Sequence, residues 1–195
     1  MISQSKTSSP FDPVLKAIET RQRKIKLNGL TQSTQALFLS SVACSGSPFC
    51  LVASSTERAR TLFEELSFFL EIDPRAARSS KTGPPDNHSK IKPLFYPPWD
   101  ILPYEPSNPR PDWIAERLST LYSLALNERV CIVTTIEAFL QRVVSKSLLL
   151  SCAETLRLGA NVPRNGLITR LSKAGYEGTA SVMAPGEIAL RGGII

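Results

Sequence analysis

The sequence has 195 residues, which is enough to bury one substantial hydrophobic core or two small ones. Hydrophobic residues make up 42% of it and charged residues 21%, as in an ordinary soluble globular protein. The net charge of +6 permits a nucleic-acid partner but does not require one. No apolar run is long enough to span a bilayer, and the polar N-terminus is not a signal peptide. These features exclude a membrane-spanning protein and predict a cytoplasmic one.

The cysteines and the histidine give no metal-binding pattern. Cys44, Cys50, Cys131 and Cys152 lack C-x-x-C spacing, and His88 is the sole histidine. We therefore expect no zinc site and interpret the cysteines as buried thiols in a reducing cytoplasm.

Two domains are predicted after a disordered start. Residues 1–13 are polar and expected to be disordered, residues 14–145 form an α/β domain, and residues 146–195 begin a smaller α+β domain. The first domain opens with a short amphipathic helix that ends in a basic run, residues 21–26, interpreted as a solvated helix end. Residues 73–93 are polar, basic and rich in helix breakers, which predicts a flexible surface insertion.

The segment around Gly29 occupies the position of a phosphate-binding loop, between a first strand and a first helix. A working loop needs the pattern G-x-x-x-x-G-K-[ST], because the glycines let backbone amides approach phosphate and the lysine neutralises it. Here Gly29 is the single glycine and no lysine follows it at the required position. Thr31, Ser33 and Thr34 therefore form a degenerate nucleotide loop, and tight nucleotide binding is not expected.

Two continuous apolar runs, residues 49–53 and 130–134, predict buried parallel strands. A helix follows each strand: a Ser54–Glu57 capping box precedes the first helix, and Thr134 or Thr135 opens the second. The first of these helices has an apolar face made of Ala59, Leu62, Phe63, Leu66 and Leu70. The order of strands and helices implies right-handed crossovers and a parallel sheet with helices on both faces.

Between these elements lies the most distinctive stretch of the chain. A short aromatic strand, residues 94–96, is stopped at once by Pro97 and Pro98. The proline-rich segment that follows is too apolar to be a solvated loop. We therefore expect the rings of Trp99 and Tyr104 to be buried.

Asp112 is then predicted to cap a helix with one apolar face. The residues on that face are Ile114, Leu118, Leu121 and Ala125. Glu116 and Arg117 are predicted to lie off it.

The smaller domain shows a different pattern. A helix is predicted over residues 163–174, with Leu167, Ile168 and Leu171 facing inward and Gly175 as its C-terminal cap. Strands are predicted at residues 154–158, 182–183 and 187–195. Alternation in the first of these strands indicates an antiparallel-type strand with one wet face.

The strings WDILPYE and ERLSTLYSL resemble the N-terminal region of the bacterial transcription–repair coupling factors (Mfd), which is similar to the start of the excision-repair subunit UvrB. The residues that form this signature are Trp99, Leu102, Pro103, Tyr104, Arg117 and Leu118. The resemblance continues through the GY string at Tyr176 to the RGG string at Arg191, and so covers residues 27–195. It implies a degenerate P-loop-helicase-like α/β domain followed by a UvrA-binding domain of the UvrB type, cut short at Ile195.

The resemblance also implies a function. Arginines on the second domain of the family bind UvrA, and Arg191 matches one of them. Glu177 stands where the family has another arginine, which puts strong UvrA binding in doubt because the charge is reversed. The family's ATP hydrolysis, RNA polymerase binding and DNA translocation belong to later domains. The resemblance therefore implies a non-catalytic fragment with UvrA as its partner and no cofactor of its own.

Two alternatives stay open from the residues. In the first, the chain is a weak DNA or nucleotide binder that uses the Gly29 loop and the basic segments. In the second, it is an inactive truncated remnant. An enzyme is not predicted, because Asp100, Glu105 and Asp112 have no histidine or metal-ligand spacing beside them. We interpret these carboxylates as caps and solvated loop charges.

Overall fold

A computed structural model describes residues 10–72, 91–102 and 104–195. The predicted disorder at residues 1–9, the predicted insertion at residues 73–90, and Pro103 lie outside the described residues. The predicted boundaries of the disordered start and of the insertion were wrong. Residues 12 and 13 begin a helix, and Lys92 and Pro93 belong to a strand.

The described chain is mixed α/β, with one three-stranded sheet and one two-stranded sheet. The helices are α1 (Asp12–Glu19), α2 (Gln32–Cys44), α3 (Thr56–Ile72), α4 (Pro111–Ala125), α5 (Ile136–Leu140), α6 (Lys146–Cys152) and α7 (Arg164–Lys173). The strands are β1 (Phe49–Ala53), β2 (Lys92–Tyr96), β3 (Val130–Thr135), β4 (Glu177–Thr179) and β5 (Glu187–Ala189).

The larger sheet is parallel, as predicted, with the order β1-β3-β2. The central strand β3 places Val133 between Leu51 of β1 and Phe95 of β2. This row faces α3, whose predicted apolar face packs against it and confirms the helical spacing. Ala59 and Leu66 are fully buried there, and the ring of Phe63 lies 5.9 Å from that of Phe95.

The opposite face of this sheet is only partly covered. Helix α4 packs on β2 and approaches β3, whereas Cys50 and Val52 of β1 are exposed. The prediction of a fully buried first strand was therefore wrong, whereas helices do lie on both faces of the sheet, α3 on one and α4 on the other. The reason is position: β1 is at the edge of the described sheet, and α4 does not extend across it.

Helix starts were predicted with mixed success. Thr135 caps α5, because its hydroxyl accepts a hydrogen bond from the amide of Ala138, as expected. The cap of α3 is Ser55, which accepts from the amide of Arg58, and not Ser54. Asp112 is not a cap either. It lies in the first turn of α4, whose N-cap is Arg110 and whose first residue is a proline.

The segment before α2 contradicts the expected strand–loop–helix order. In the part of the chain that the structure describes, α1 precedes α2 and no strand lies between them. The two helices touch through Phe11 and Phe38, whose rings meet edge to face at 5.4 Å. The strand that was predicted before the Gly29 loop and α2 is therefore absent from the described residues.

The second unit, residues 146–195, departs most from prediction. Residues 148–150 belong to α6, which begins at the Ser145 cap, and residues 154–158 form no strand. The predicted helix is confirmed as α7, followed by Gly175 with φ +96°.

The predicted strands after this helix are shorter than expected. β4 and β5 form a parallel pair, whereas Val182 and Met183 lie outside any strand. Arg191 and Ile194 close a tight turn through Gly192, at φ +55°. Residues 192–195 are therefore not the middle of a strand.

Candidate protein-binding site

Arg117 lies at the carboxyl ends of β2 and β3, and it is 2% exposed. Its guanidinium stacks between two rings, 4.3 Å from the centroid of Tyr96 and 4.1 Å from that of Trp99. Its Nη1 donates to the carbonyl of Pro97 at 2.6 Å and to Oε1 of Gln141 at 2.9 Å. The prediction that Arg117 lies off the buried face of α4 was wrong, because these acceptors and rings take the place of an apolar environment.

Arg117 is part of a larger polar arrangement around the end of β2. Three successive carbonyls there each accept a hydrogen bond from a side chain: Phe95 from Thr120 at 3.2 Å, Tyr96 from Thr134 at 2.8 Å, and Pro97 from Arg117. Buried backbone carbonyls require such partners, and Pro97 and Pro98 prevent the strand from continuing. α4 therefore turns Thr120 and Arg117 toward the sheet, which apolar periodicity alone does not reveal.

Burial changes the titration of this cluster. Desolvation lowers the pKa of Arg117, and its interaction with Tyr96 opposes the shift. Desolvation raises the pKa of the Tyr96 hydroxyl, and the charge of Arg117 opposes that shift. No side chain or backbone group of the described residues hydrogen-bonds to this hydroxyl. The groups that contact the Arg117 guanidinium are a backbone carbonyl, an amide oxygen and two aromatic rings, which together hold it in one position.

The other signature residues are more exposed than expected. Trp99 is half-buried beneath Arg117, whereas Leu102 and Tyr104 are exposed and Leu118 is 41% exposed. Tyr104 adopts a left-handed backbone conformation with φ +71°. The prediction of a buried Tyr104 ring was wrong, because the turn that holds Leu102 and Glu105 together presents this ring to solvent.

Of the three acidic residues of this stretch, Asp100 and Glu105 lie in the loop and Asp112 lies in the first turn of α4. Asp100 accepts from the amide of Arg110 at 3.3 Å, and Glu105 accepts from the amide of Leu102 at 2.9 Å. Asp112 pairs with Arg110 at 3.8 Å, where both side chains are 63% exposed. Among the described residues, no group of histidine, cysteine and carboxylate side chains is arranged to hold a metal ion.

The degenerate loop at the start of α2 is tied to α3. Gly29 has φ +80°, and the hydroxyls of Thr31 and Thr34 share a hydrogen bond of 2.9 Å. Ser33 donates to Oε1 of Glu65 at 3.1 Å. The carboxylate introduces negative charge where a phosphate needs positive charge, so this geometry gives no support to nucleotide binding.

The two residues that the resemblance relates to UvrA both lie in the second unit. Arg191 is exposed, and its guanidinium donates to the carbonyl of Ala180 through Nη2 at 3.0 Å and Nε at 3.3 Å. Glu177 is exposed in β4, where its amide donates to the carbonyl of Gly186. Both side chains are therefore accessible on the small β4–β5 unit.

Several apolar side chains close to Arg191 in sequence are exposed. The exposed ones in residues 180–195 are Val182, Met183, Leu190, Ile194 and Ile195, and Met183 is 86% exposed. Within residues 146–195, the buried apolar residues are Leu167 and Ile188. The second unit thus has a thin core, several exposed apolar side chains and an accessible arginine.

The cysteines differ in exposure, contrary to the prediction of four buried thiols. Cys131 is fully buried and Cys44 is half-buried, whereas Cys50 and Cys152 are exposed. Burial raises the pKa of Cys131 to about 12. Cys50 and Cys152 are exposed because the edge strand and α6 present them to solvent.

These features define the class: a mixed α/β protein with a small parallel sheet, followed by a two-stranded unit with an exposed arginine. The chain is similar to the transcription-repair-coupling factors. It is 25% identical to that of Bacillus subtilis (strain 168) over 191 residues, which cover 97% of this chain and 15% of the relative. It is 26% identical to the Myxococcus xanthus factor over 188 residues, covering 95% of this chain and 15% of the relative.

A shorter region is more similar to the Escherichia coli (strain K12) factor, at 37% identity over 97 residues, or 50% of this chain and 8% of the relative. The chain thus spans about 15% of the relatives that match nearly all of it. No protein-family model matches the chain. In the described ranges, no helix has both the length and the apolar character needed to cross a membrane.

Proposed function

We propose that this chain is a protein-interaction module of a bacterial transcription-coupled repair factor, and that its second unit binds the repair protein UvrA in the cytoplasm. The similarity to transcription-repair-coupling factors over 97% of the chain carries this proposal. On this account the chain itself performs no catalysis and needs no cofactor. ATP hydrolysis and contacts with RNA polymerase and DNA belong to regions of the relatives outside the matched segment.

The environment of Arg191 supports an interface role. The exposed apolar residues close to Arg191 in sequence, together with its guanidinium, match the composition common at the centre of a protein–protein interface. The hydrogen bonds to Ala180 hold this guanidinium in one place, which lowers the entropy lost when a partner carboxylate binds. Its planar fork suits such a carboxylate.

Titration of UvrA with the purified chain tests the proposal, with Arg191→Ala as the variant. We expect saturable binding that weakens at least about tenfold in Arg191→Ala, because a hydrogen-bonded charge at an interface is worth more than about 1.4 kcal/mol. Arg157→Ala is the matched control, since Arg157 is also an exposed arginine of the second unit. Circular dichroism of each variant verifies that the fold is intact.

Absence of binding by the folded wild-type chain would contradict the proposal. Equal weakening of UvrA binding in Arg157→Ala would show that Arg191 contributes only its positive charge and not a specific contact. Tight ATP binding, or DNA binding that weakens steeply with salt, would favour the alternative function instead.

A further inference from the structure

We propose that a cleft between α4 and the β4–β5 unit binds a short segment of a partner protein in which a lysine or arginine lies beside a bulky apolar side chain. The proposal rests on the proposed function only in treating the chain as a protein-interaction module. The cleft has a volume of about 540 Å³, within the range of roughly 300–1,000 Å³ typical of binding pockets. Its lining does not include Arg117, Tyr96 or Trp99.

The walls of this cleft are apolar and come from two parts of the chain. Pro111, Ile114 and Leu118 of α4 form one wall, and Tyr176 and Pro185 of the second unit contribute to the other. Leu118 and Tyr176 are each 41% exposed. Large apolar side chains left accessible in a concave site are typical of a surface that a partner covers.

The charge of the cleft selects the partner. Among the described residues, its lining includes Glu177 and Glu187 and no lysine or arginine, although the whole chain has a net charge of +6. Oε2 of Glu187 already accepts from the amides of Met183 at 2.6 Å and Ala184 at 3.1 Å, which fixes this carboxylate at the rim. Glu177 is exposed beside it in the lining. A locally acidic cleft on a basic protein favours a cationic side chain.

The openness of the site favours a peptide segment over a small molecule. Small-molecule sites bury about 70–90% of their ligand. Here Leu118 and Tyr176 stay accessible on opposite walls, so an extended segment fits along the trough with one apolar side chain between them. Its neighbouring lysine or arginine then reaches Glu177.

A panel of immobilised octapeptides tests this inference. Each peptide combines one lysine or arginine with one leucine, isoleucine or phenylalanine at a defined spacing, and a matched panel carries glutamate in place of the base. We expect the labelled chain to bind members of the basic panel and not their acidic counterparts. Non-specific charge attraction cannot produce this result. A chain of net charge +6 repels cationic peptides and attracts the acidic ones.

Fluorescence anisotropy with the strongest basic peptide then locates the site. We expect Glu177→Lys and Leu118→Asn each to weaken binding at least about tenfold, equivalent to about 1.4 kcal/mol. Glu128→Lys makes the same charge change at an exposed glutamate outside the cleft, and Leu124→Asn changes a leucine of α4 that is 43% exposed and also outside it. These two controls are expected to change binding less than about twofold, as surface substitutions away from a site do.

Three results would overturn the inference: no binding by the basic panel, equal or better binding by the acidic panel, or equal effects of the cleft and control substitutions. Self-association of the chain that Glu177→Lys abolishes would assign the cleft to a second copy and would also overturn it. None of these results bears on UvrA binding through Arg191. Failure of the two proposals is therefore distinguishable.

Discussion

Replacing Arg117 with methionine tests whether the buried guanidinium stabilises the end of the sheet. The substitution removes two hydrogen bonds from a charged donor, worth about 1.5–3 kcal/mol each, and two contacts with aromatic faces, worth about 0.5–2 kcal/mol each. Burial also imposes a desolvation cost on the charge, and this cost cancels several kcal/mol of the stabilisation that these contacts provide. We expect a net loss of about 3 kcal/mol in the free energy of unfolding.

Urea unfolding followed by tryptophan fluorescence measures this loss. The chain has two tryptophans, and Trp99 is in contact with the guanidinium. With a urea dependence of about 2 kcal/mol per molar, the midpoint falls by about 1.5 M. Arg117→Lys should lose most of the same stability, because an ammonium has no planar fork with which to stack and donate together.

Arg110→Met is the matched control for this experiment. Arg110 lies at the start of the same helix, where its ion pair with Asp112 is exposed and its guanidinium is 5.8 Å from the centroid of the Trp113 ring, so we expect a change below about 1 kcal/mol. A midpoint for Arg117→Met within about 0.25 M of the wild type would refute the reasoning. Equal losses in Arg117→Met and Arg110→Met would refute it as well.

Two further predictions concern the core between α3 and the larger sheet. Leu66→Ala, at a fully buried position under the sheet, should lower the free energy of unfolding by about 2–5 kcal/mol, whereas Leu124→Ala at an exposed position of α4 should cost less than about 1 kcal/mol in the same urea titration. Cys131 has a folded pKa of about 12 against 9.0 for the free thiol, so the stability linked to it is fully present below pH 9 and is lost as pH rises toward 12. Measured against Cys131→Ala, the wild type should lose about 3 kcal/mol between pH 8 and pH 11, and a constant difference across that range would contradict the assignment.

The sequence was most informative where apolar spacing and burial agree. The face of α3 through Leu66 and the strand at residues 130–134 were predicted correctly, because both pack against one continuous core. The parallel arrangement followed from the order of strands and helices. These features depend on periodicity, which a single sequence displays directly.

The misplaced features have identifiable physical reasons. Arg117 was assigned to the surface because an arginine breaks the apolar pattern of the helix. The backbone carbonyl that accepts its hydrogen bond and the aromatic rings that it stacks on are distant from it in sequence. Residues 154–158 alternate like a strand but have no neighbouring strand with which to pair in the described structure. Pairing partners determine strands more than local propensity does.

The cleft beside Glu177 had no signal in the sequence. Its walls come from α4 and from the second unit, whose proximity depends on contacts such as the hydrogen bond between the Tyr122 and Thr155 hydroxyls at 3.2 Å. The sequence marked Glu177 only as a departure from a family arginine. Its position in an acidic cleft with apolar walls is visible only in the folded structure.

Hydrogen exchange of the chain with and without saturating UvrA tests the central claim most directly. The account predicts protection confined to the second unit, strongest around β4, β5 and the turn at Arg191, with exchange at the Gly29 loop unchanged. Protection at the start of α2 in place of the second unit, or no protection of a folded chain anywhere, would contradict it.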